Sequence, residues 1–266
     1  MKFPLLIGLH CHQPVHNFHN VVDEAAELSY TPFLKYAERY PNFRFVVHYS
    51  GWLLEYLCKN HKDTFNLLKK LSDRGQVEFF GGGYYEPVLS AIPSDDRRGQ
   101  IDKLSALVKD KFGRTPTGLW LTERVWDPAI LPDLVSCGIE DVIVDDYHFI
   151  AAGFNESSLT GYFRTEQDGL AVNIFPIDQG LRYRIPFTPA KDVMTYLKEM
   201  ETAGRKMLVC FDDGEKFGLW PDTYKWVYGD PDSKDAAKRR GWLEDFMETV
   251  STSEDVSMGH FADLKK

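Results

Sequence analysis

The sequence predicts an α/β fold built as a (β/α) barrel, on three observations. Short runs rich in Val, Ile, Leu and Phe alternate with helical stretches along the whole 266 residues, as repeated βα units around a parallel sheet require. Seven or eight such runs occur, enough to close or nearly close a barrel. The polar motifs follow the strands, where parallel βα architectures assemble their active sites. An open doubly wound sheet is the alternative arrangement of the same units. A composition of 43% hydrophobic and 14% aromatic residues supports one large core, and no linker, low-complexity tract or internal repeat divides the chain.

Strands are expected at 3–9, 43–49, 76–80, 117–121, 141–145, 171–177 and 206–211, with a weaker one at 254–258, each bounded by polar residues or Gly. A helix over 31–40 opens on Thr31-Pro32. One over 94–112 opens on Ser94-Asp95-Asp96, whose short polar side chains suit an N-terminus. Helices over 128–137, 189–203 and 234–250 complete the pattern. The first ten residues superficially resemble a signal peptide. The apolar run is short, broken by Pro4 and followed by histidines, so a buried strand is the better reading.

Composition excludes several classes. The net charge is −9, and the longest basic run is Lys238-Arg239-Arg240, so the clustered cations that bind nucleic-acid phosphates are missing. No stretch approaches the length of a membrane span. Cys11, Cys58, Cys137 and Cys210 are widely spaced without a CxxC, which argues against a disulfide scaffold or cysteine-rich zinc site and favours a cytoplasmic location.

Two strand-end motifs carry the chemistry. After 117–121 come Thr122-Glu123-Arg124-Val125-Trp126, one acid beside one arginine near two tryptophans. Arg124 would keep Glu123 ionised, as a nucleophile requires. After 206–211 come Asp212-Asp213-Gly214-Glu215-Lys216. Successive side chains on extended backbone point to opposite sides, so one Asp should face the cavity while the other holds a loop. Taken alone, Asp-Asp-Gly is also good turn chemistry. Two carboxyls at strand ends, framed by aromatics, suit cleavage of a sugar linkage, and a retaining enzyme would hold them about 5–7 Å apart.

The other motifs read as support. His10, His12, His16 and His19 are the densest histidine cluster. They lack an HExxH pattern, so sugar hydroxyls bound by His12 and Gln13 are favoured over zinc, and no metal is expected. Gly81-Gly82-Gly83 lacks the spacing and trailing Lys of a phosphate loop and is expected to let the chain turn at the rim. Glu86 would bind substrate or buttress the site. Asp145-Asp146 follows the fifth strand. Trp120, Trp126, Trp220, Trp226, Tyr84 and Tyr85 offer stacking faces, of which two or three should line the site.

Four of these stretches in order resemble the motifs of glycoside hydrolase family 57: His12-Gln13-Pro14, Tyr85-Glu86-Pro87, Trp120 to Trp126 and Asp212 to Gly218. Val144 to Phe149, Phe175 to Asp178, Leu181 to Tyr183 and Trp220 to Tyr224 are similar to its 4-α-glucanotransferase and α-amylase branch. The resemblance spans essentially the whole chain. It implies an incomplete seven-stranded (β/α) barrel, a retaining mechanism on α-glucans or maltooligosaccharides, and no cofactor. By similarity Glu123 is the nucleophile and Asp213 the general acid/base. His12, Glu86, Trp120 and Trp220 fall where the family contacts sugar, with Gln13, Arg124 and Asp146 as further substrate-binding candidates. Transfer is favoured over hydrolysis. A metal-dependent carbohydrate deacetylase is an alternative, because Phe211-Asp212-Asp213-Gly214 echoes a deacetylase motif; an inactive glucan-binding fragment is another. Family members continue into a helical region, and the glucanotransferases into a β-domain. Residues 1–266 are thus expected to form a single catalytic barrel domain without them, exposing an apolar patch around Trp220, Trp226 or Val256.

Overall fold

Alternation of side chains across the strands builds two layers of core in this molecule. The computed structural model describes residues 2–235 and 238–265. In chain order, β1 (Phe3–Cys11) leads through α1 (His19–Ala25), a π turn (Ala26–Tyr30) and α2 (Thr31–Arg39) to β2 (Phe45–Tyr49). Next come α3 (Gly51–Asn60), α4 (Lys62–Asp73), β3 (Val77–Gly81), α5 (Ser94–Phe112), β4 (Gly118–Leu119), α6 (Leu131–Ser136), β5 (Asp141–Asp145) and α7 (Asp146–Ala151). A hairpin of β6 (Phe163–Gln167) and β7 (Leu170–Ile177) precedes α8 (Gln179–Arg184), α9 (Ala190–Thr202), β8 (Leu208–Asp213), α10 (Thr223–Tyr228), α11 (Trp242–Thr252) and β9 (Val256–Met258). No described helix is long and apolar enough to cross a membrane.

The strand order is β6-β7-β5-β4-β3-β2-β1-β8, with β9 beside the start of β1. The β6–β7 pair is antiparallel, while β1 to β5, β7 and β8 form a parallel series of seven. No ladder joins the two ends of that series. A backbone bond from Asp178 N to Val209 O, 2.8 Å, spans the gap between β7 and β8. The barrel is therefore seven-stranded and incomplete.

Inward-pointing residues fill its lumen: Leu6 of β1, Val46 of β2, Phe80 of β3, Ile143 of β5, Phe175 of β7 and Val209 and Phe211 of β8, with Trp120 just past β4. Gly8 makes room for Phe211, whose ring would lie 2.0 Å from a Cβ there. Outward residues of the same strands pack under the helices. Leu5, Ile7 and Leu9 meet α2 and α11, and Leu119, Val142 and Val144 meet α5 and α6. Each such side chain removed from water contributes about 1.5–3 kcal/mol.

Several elements depart from expectation. The β6–β7 hairpin turns on Asp168 (φ 55°) and Gly169 (φ 78°), the left-handed pair that an Asp-Gly turn supplies. The helix expected from 234 begins at Trp242, because Gly241 holds extended backbone at its N-terminus (φ −85°, ψ 160°); positions 236 and 237 of that expectation lie outside the described residues. The weak last strand is real, and Val256 is buried through its pairing with Phe3, so it exposes no apolar patch. Beyond it, Phe261 enters the barrel floor, 4.7 Å from the Phe80 ring and 4.8 Å from Phe175. The Glu78 carboxylate anchors this plug, accepting from Phe261 N (2.7 Å) and Ala262 N (3.2 Å).

Candidate active site

Strand register brings three polar side chains to one level at the C-terminal rim. His10 is the Cα partner of both His48 on β2 and Asp213 on β8. Two residues earlier Gly8 aligns with Phe211, and Leu6 with Val209, the lumen positions. With the period of two, His10 and Asp213 continue those inward files. Asp212 aligns with Leu9 and belongs to the opposite face.

Burial and charge separate the two aspartates. Asp213 is part-buried; burial, then the Asp212 charge, pushes its carboxyl up, against the opposing fields of Lys216, Arg124 and Arg182. Burial also works against the Asp212 anion, but hydrogen bonds from Arg182 and the Lys216 ammonium outweigh it and hold that carboxyl below the usual range. Arg182 grips Asp212 with Nε (2.9 Å to Oδ2) and Nη2 (3.4 Å to Oδ1), and Lys216 Nζ bonds the same carboxylate. Asp212 Oδ1 in turn accepts from Asp213 N at 2.9 Å.

On the facing wall, Glu86 is buried among imidazoles. Its Oε2 is 3.0 Å from His12 Nδ1, and its Oε1 is 3.3 Å from His48 Nδ1 and 3.5 Å from His10 Nδ1. The rings of His12, His10 and Trp120 form a stack, with His10 at 6.0 Å from His12 and 4.2 Å from Trp120. Burial drives the Glu86 carboxyl well up, and the fields of Glu215, Glu123 and Asp213 add to it. Burial drives the imidazoles the other way: His48 falls to about 3, and His10 and His12 are also lowered. His10, His48 and Glu86 are the group among the described residues whose ligand atoms lie close enough to hold a metal ion. His10 Nδ1 and His48 Nδ1 are 3.0 Å apart, a hydrogen bond between neutral rings, while His48 Nε2 and Glu86 Oε1 are buried without a hydrogen-bond partner.

Glu123 stands exposed beyond Trp120 on left-handed backbone (φ 55°, ψ 16°), and Arg124 follows with φ 57°. Two successive non-glycine residues in that region cost roughly 1–2 kcal/mol each, a strain concentrated at functional sites. The turn is pinned from both sides. Arg124 Nε donates to Asp145 Oδ2 (3.0 Å), the Arg124 carbonyl lies 3.0 Å from His148 Nε2, and the guanidinium sits 5.7 Å over the Trp120 ring.

Other candidates take distinct places. Arg124 spends its Nε on Asp145 rather than on Glu123. Asp146 is buried with Oδ2 accepting from Gln179 N (3.0 Å), so it ties α7 to α8, while Asp145 is the rim acid held by Arg124 and Arg182. Gln13 is a brace: its Nε2 donates to the Tyr30 hydroxyl (3.3 Å) and its Oε1 accepts from Asn17 (3.1 Å). That hydroxyl donates to Glu215, which also accepts from His12 N at 3.3 Å. Trp120 is 1% exposed between His10 and Phe211 and forms wall rather than an open platform. Trp220 is 38% exposed, stacked 6.2 Å from Phe187 with Lys216 Nζ 5.3 Å from its ring. Trp226 is exposed too, its Nε1 donating to Pro186 O. Tyr84 and Tyr85 pack around Lys103 of α5 instead. The three glycines at 81–83 do not have positive φ. Gly82 is needed for close approach, since a Cβ there would lie 2.5 Å from His48 Nε2.

Sequence reasoning missed His48 and the roles of Tyr30, Asp145 and Arg182. Parity held the signal for two of them: His48 lies two residues after the inward Val46, and Asp145 two after the inward Ile143.

Comparison with known proteins gives a consistent picture. The model of glycosyl hydrolase family 57 matches residues 6–263. Alpha-amylase 1 of Dictyoglomus thermophilum is 45% identical over 245 residues, covering 92% of this chain and 34% of that protein. The 4-alpha-glucanotransferase of Thermococcus kodakarensis is 44% identical over 95% of this chain and 37% of its own length. The crystal structure of the 4-alpha-glucanotransferase from Thermococcus litoralis superimposes with a TM-score of 0.92 at 42% identity, over 100% of this chain and 40% of that one. The chain thus spans little more than a third of the curated relatives it matches.

Proposed function

Because the chain belongs to glycosyl hydrolase family 57, we propose that it forms one catalytic barrel domain acting on α-1,4-glucans by a retaining mechanism, with transfer of the cleaved segment to a second glucan as the main outcome. The observation that supports this reading is the placement of two acids at C-terminal strand ends, Glu123 just after β4 and Asp213 ending β8, where the fields of both reach the buried Glu86.

In this reading the Glu123 carboxylate attacks the anomeric carbon as the bond from that carbon to the leaving oxygen breaks. The departing oxygen takes the proton of Asp213, whose raised carboxyl favours the protonated form. A glycosyl ester on Glu123 results. An acceptor hydroxyl then gives its proton back to Asp213, its oxygen attacks the anomeric carbon, and the ester bond breaks. Such chemistry needs the two carboxyls about 5–5.5 Å apart. His12 and Glu86 would hold hydroxyls of the ring at the cleavage point, and Trp220 would stack on a neighbouring glucose.

Transfer and hydrolysis differ only in the acceptor, sugar or water. A relative of Dictyoglomus thermophilum described as an alpha-amylase supports hydrolysis as the second reading. Incubation with maltoheptaose decides between them. Transfer yields both longer and shorter oligosaccharides, hydrolysis only shorter ones with new reducing ends. An unchanged maltoheptaose pool would refute both.

A further inference from the structure

The residue immediately after Glu123 and the residue immediately before Asp213 are joined through salt bridges across the rim. Arg124 Nε binds Asp145 Oδ2 at 3.0 Å, and Arg182 Nη1 binds Asp145 Oδ1 at 3.0 Å. The same Arg182 binds Asp212 through Nε at 2.9 Å, and Lys216 closes the far end on Asp212. The charges alternate along the whole chain of contacts: Arg124, Asp145, Arg182, Asp212, Lys216.

Its course matters because of what the sheet lacks. β7 and β8 share no ladder, and the backbone bond from Asp178 N to Val209 O lies well below the rim, so no ladder fixes the end of β8 against the strands on its far side. Arg182 lies on α8, directly after β7, and reaches Asp145 at the end of β5 and Asp212 on β8. It therefore bridges the open seam at the level of the acids. A planar guanidinium suits this role, because its fork presents several donors in fixed directions and can hold two carboxylates at once, whereas an ammonium is a point charge on a flexible stem. Both carboxylates are mostly withdrawn from solvent, Asp212 with 9% and Asp145 with 28% of the side chain exposed, so salt and water screen the contacts less than on an open surface.

Each end of the strap is coupled to a candidate catalytic group. Asp212 Oδ1 accepts from the backbone N of Asp213. Arg124 is the second residue of the left-handed pair that begins with Glu123, so its tether holds that turn in place. We propose that Arg182 is a positioning residue, which sets the separation of Glu123 and Asp213 by tying Asp145 to Asp212 across the seam between β7 and β8. The proposal rests on the retaining-enzyme reading for its effect on rate, but not for its geometry.

The test compares wild type with Arg182→Met, Arg182→Lys and a control, Arg97→Met. Arg97 forms a comparably buried ion pair with Asp133, between α5 and α6. With maltoheptaose as substrate, Arg182→Met should lower kcat about 100-fold while KM stays within about 3-fold, because a displacement near 1 Å misaligns the acids without removing sugar contacts. Arg182→Lys, able to hold one carboxylate at a time, should recover part of that loss. Arg97→Met should destabilise the fold while leaving kcat near wild type. An Arg182→Met enzyme with near wild-type kcat, or a matching kcat loss in Arg97→Met, overturns the proposal. If Arg182→Met does not fold, Asp145→Asn carries the same comparison with little change of shape. If wild type leaves maltoheptaose untouched, the functional reading fails, and crystal structures of wild type and the variant judge the strap alone. A Glu123–Asp213 separation altered by about 1 Å or more supports it, and an unchanged separation refutes it.

Discussion

Asp212 and Asp213 are neighbours in sequence that stand on opposite faces of β8 and are pushed in opposite directions. Asp213 continues the inward file of Val209 and Phe211, and its carboxyl is raised by burial and by its neighbour's charge. Asp212 turns to Arg182 and Lys216, which hold it as an anion despite its burial. One strand thus presents an acid that binds its proton more tightly than usual to the lumen side and a stabilised negative charge to the wall.

That division predicts distinct pH behaviour. Asp213→Asn should lower turnover of maltoheptaose roughly 10²–10⁴-fold, the range a general acid contributes. Asp212→Asn should leave residual activity but move the alkaline limb of kcat/KM to lower pH. It removes the charge that raises Asp213 and frees Arg182 and Lys216, whose fields lower it. A limb that stays put or moves to higher pH would show that Asp213 is not the group titrating there.

Glu123→Gln should abolish turnover while maltoheptaose binding, read by calorimetry, stays within about 3-fold of wild type, because the shape is kept and the nucleophilic charge lost. Near wild-type turnover in this variant would move the nucleophile to another acid of the cavity. Glu86 would be the first to examine, since it is buried among three imidazoles and feels the field of Glu123.

Local pattern made the barrel and its rim readable in advance, because both depend on short-range rules. Apolar runs ending in polar residues marked β1, β5, β7 and β8, and strand alternation implied that only one of Asp212 and Asp213 could enter the lumen. What remained hidden depends on contacts between distant segments. Arg182 falls in a segment, Leu181 to Tyr183, to which the sequence attaches no role, and its importance lies in meeting Asp145 and Asp212, 37 and 30 residues away. The sequence points to Asp146 rather than Asp145 as a substrate-binding candidate, but the end of β5 falls between them, and the boundary decides which acid reaches the rim. Val256 looked exposed because its partner, Phe3, is at the other end of the chain.

The histidine cluster gives a third expectation, about metals. Incubation with EDTA followed by desalting should leave maltoheptaose turnover unchanged, since His10 Nδ1 and His48 Nδ1 already hydrogen-bond each other. Loss of activity restored by zinc would assign His10, His48 and Glu86 as a metal centre and favour the deacetylase chemistry instead.

The barrel floor gives a prediction about stability. Glu78 accepts hydrogen bonds from Phe261 N and Ala262 N, yet burial outweighs them and pushes its carboxyl up to about 7. A carboxyl raised in the folded state binds its proton more tightly there than in the unfolded chain. It therefore adds stability that is fully present below the unfolded value near 4.5 and is lost as pH rises to about 7. Over that window this one group tilts the unfolding free energy downward by at most about 1.4 kcal/mol per pH unit. Glu215, raised by burial to about 7, tilts it the same way. Glu78→Gln removes the slope due to Glu78, because a neutral amide keeps an acceptor for the plug and does not titrate. Urea unfolding at pH 5 and pH 8 should then show the variant gaining on wild type as pH rises. A wild-type-to-variant difference that is the same at both pH values would mean that Glu78 titrates alike in the folded and unfolded chain.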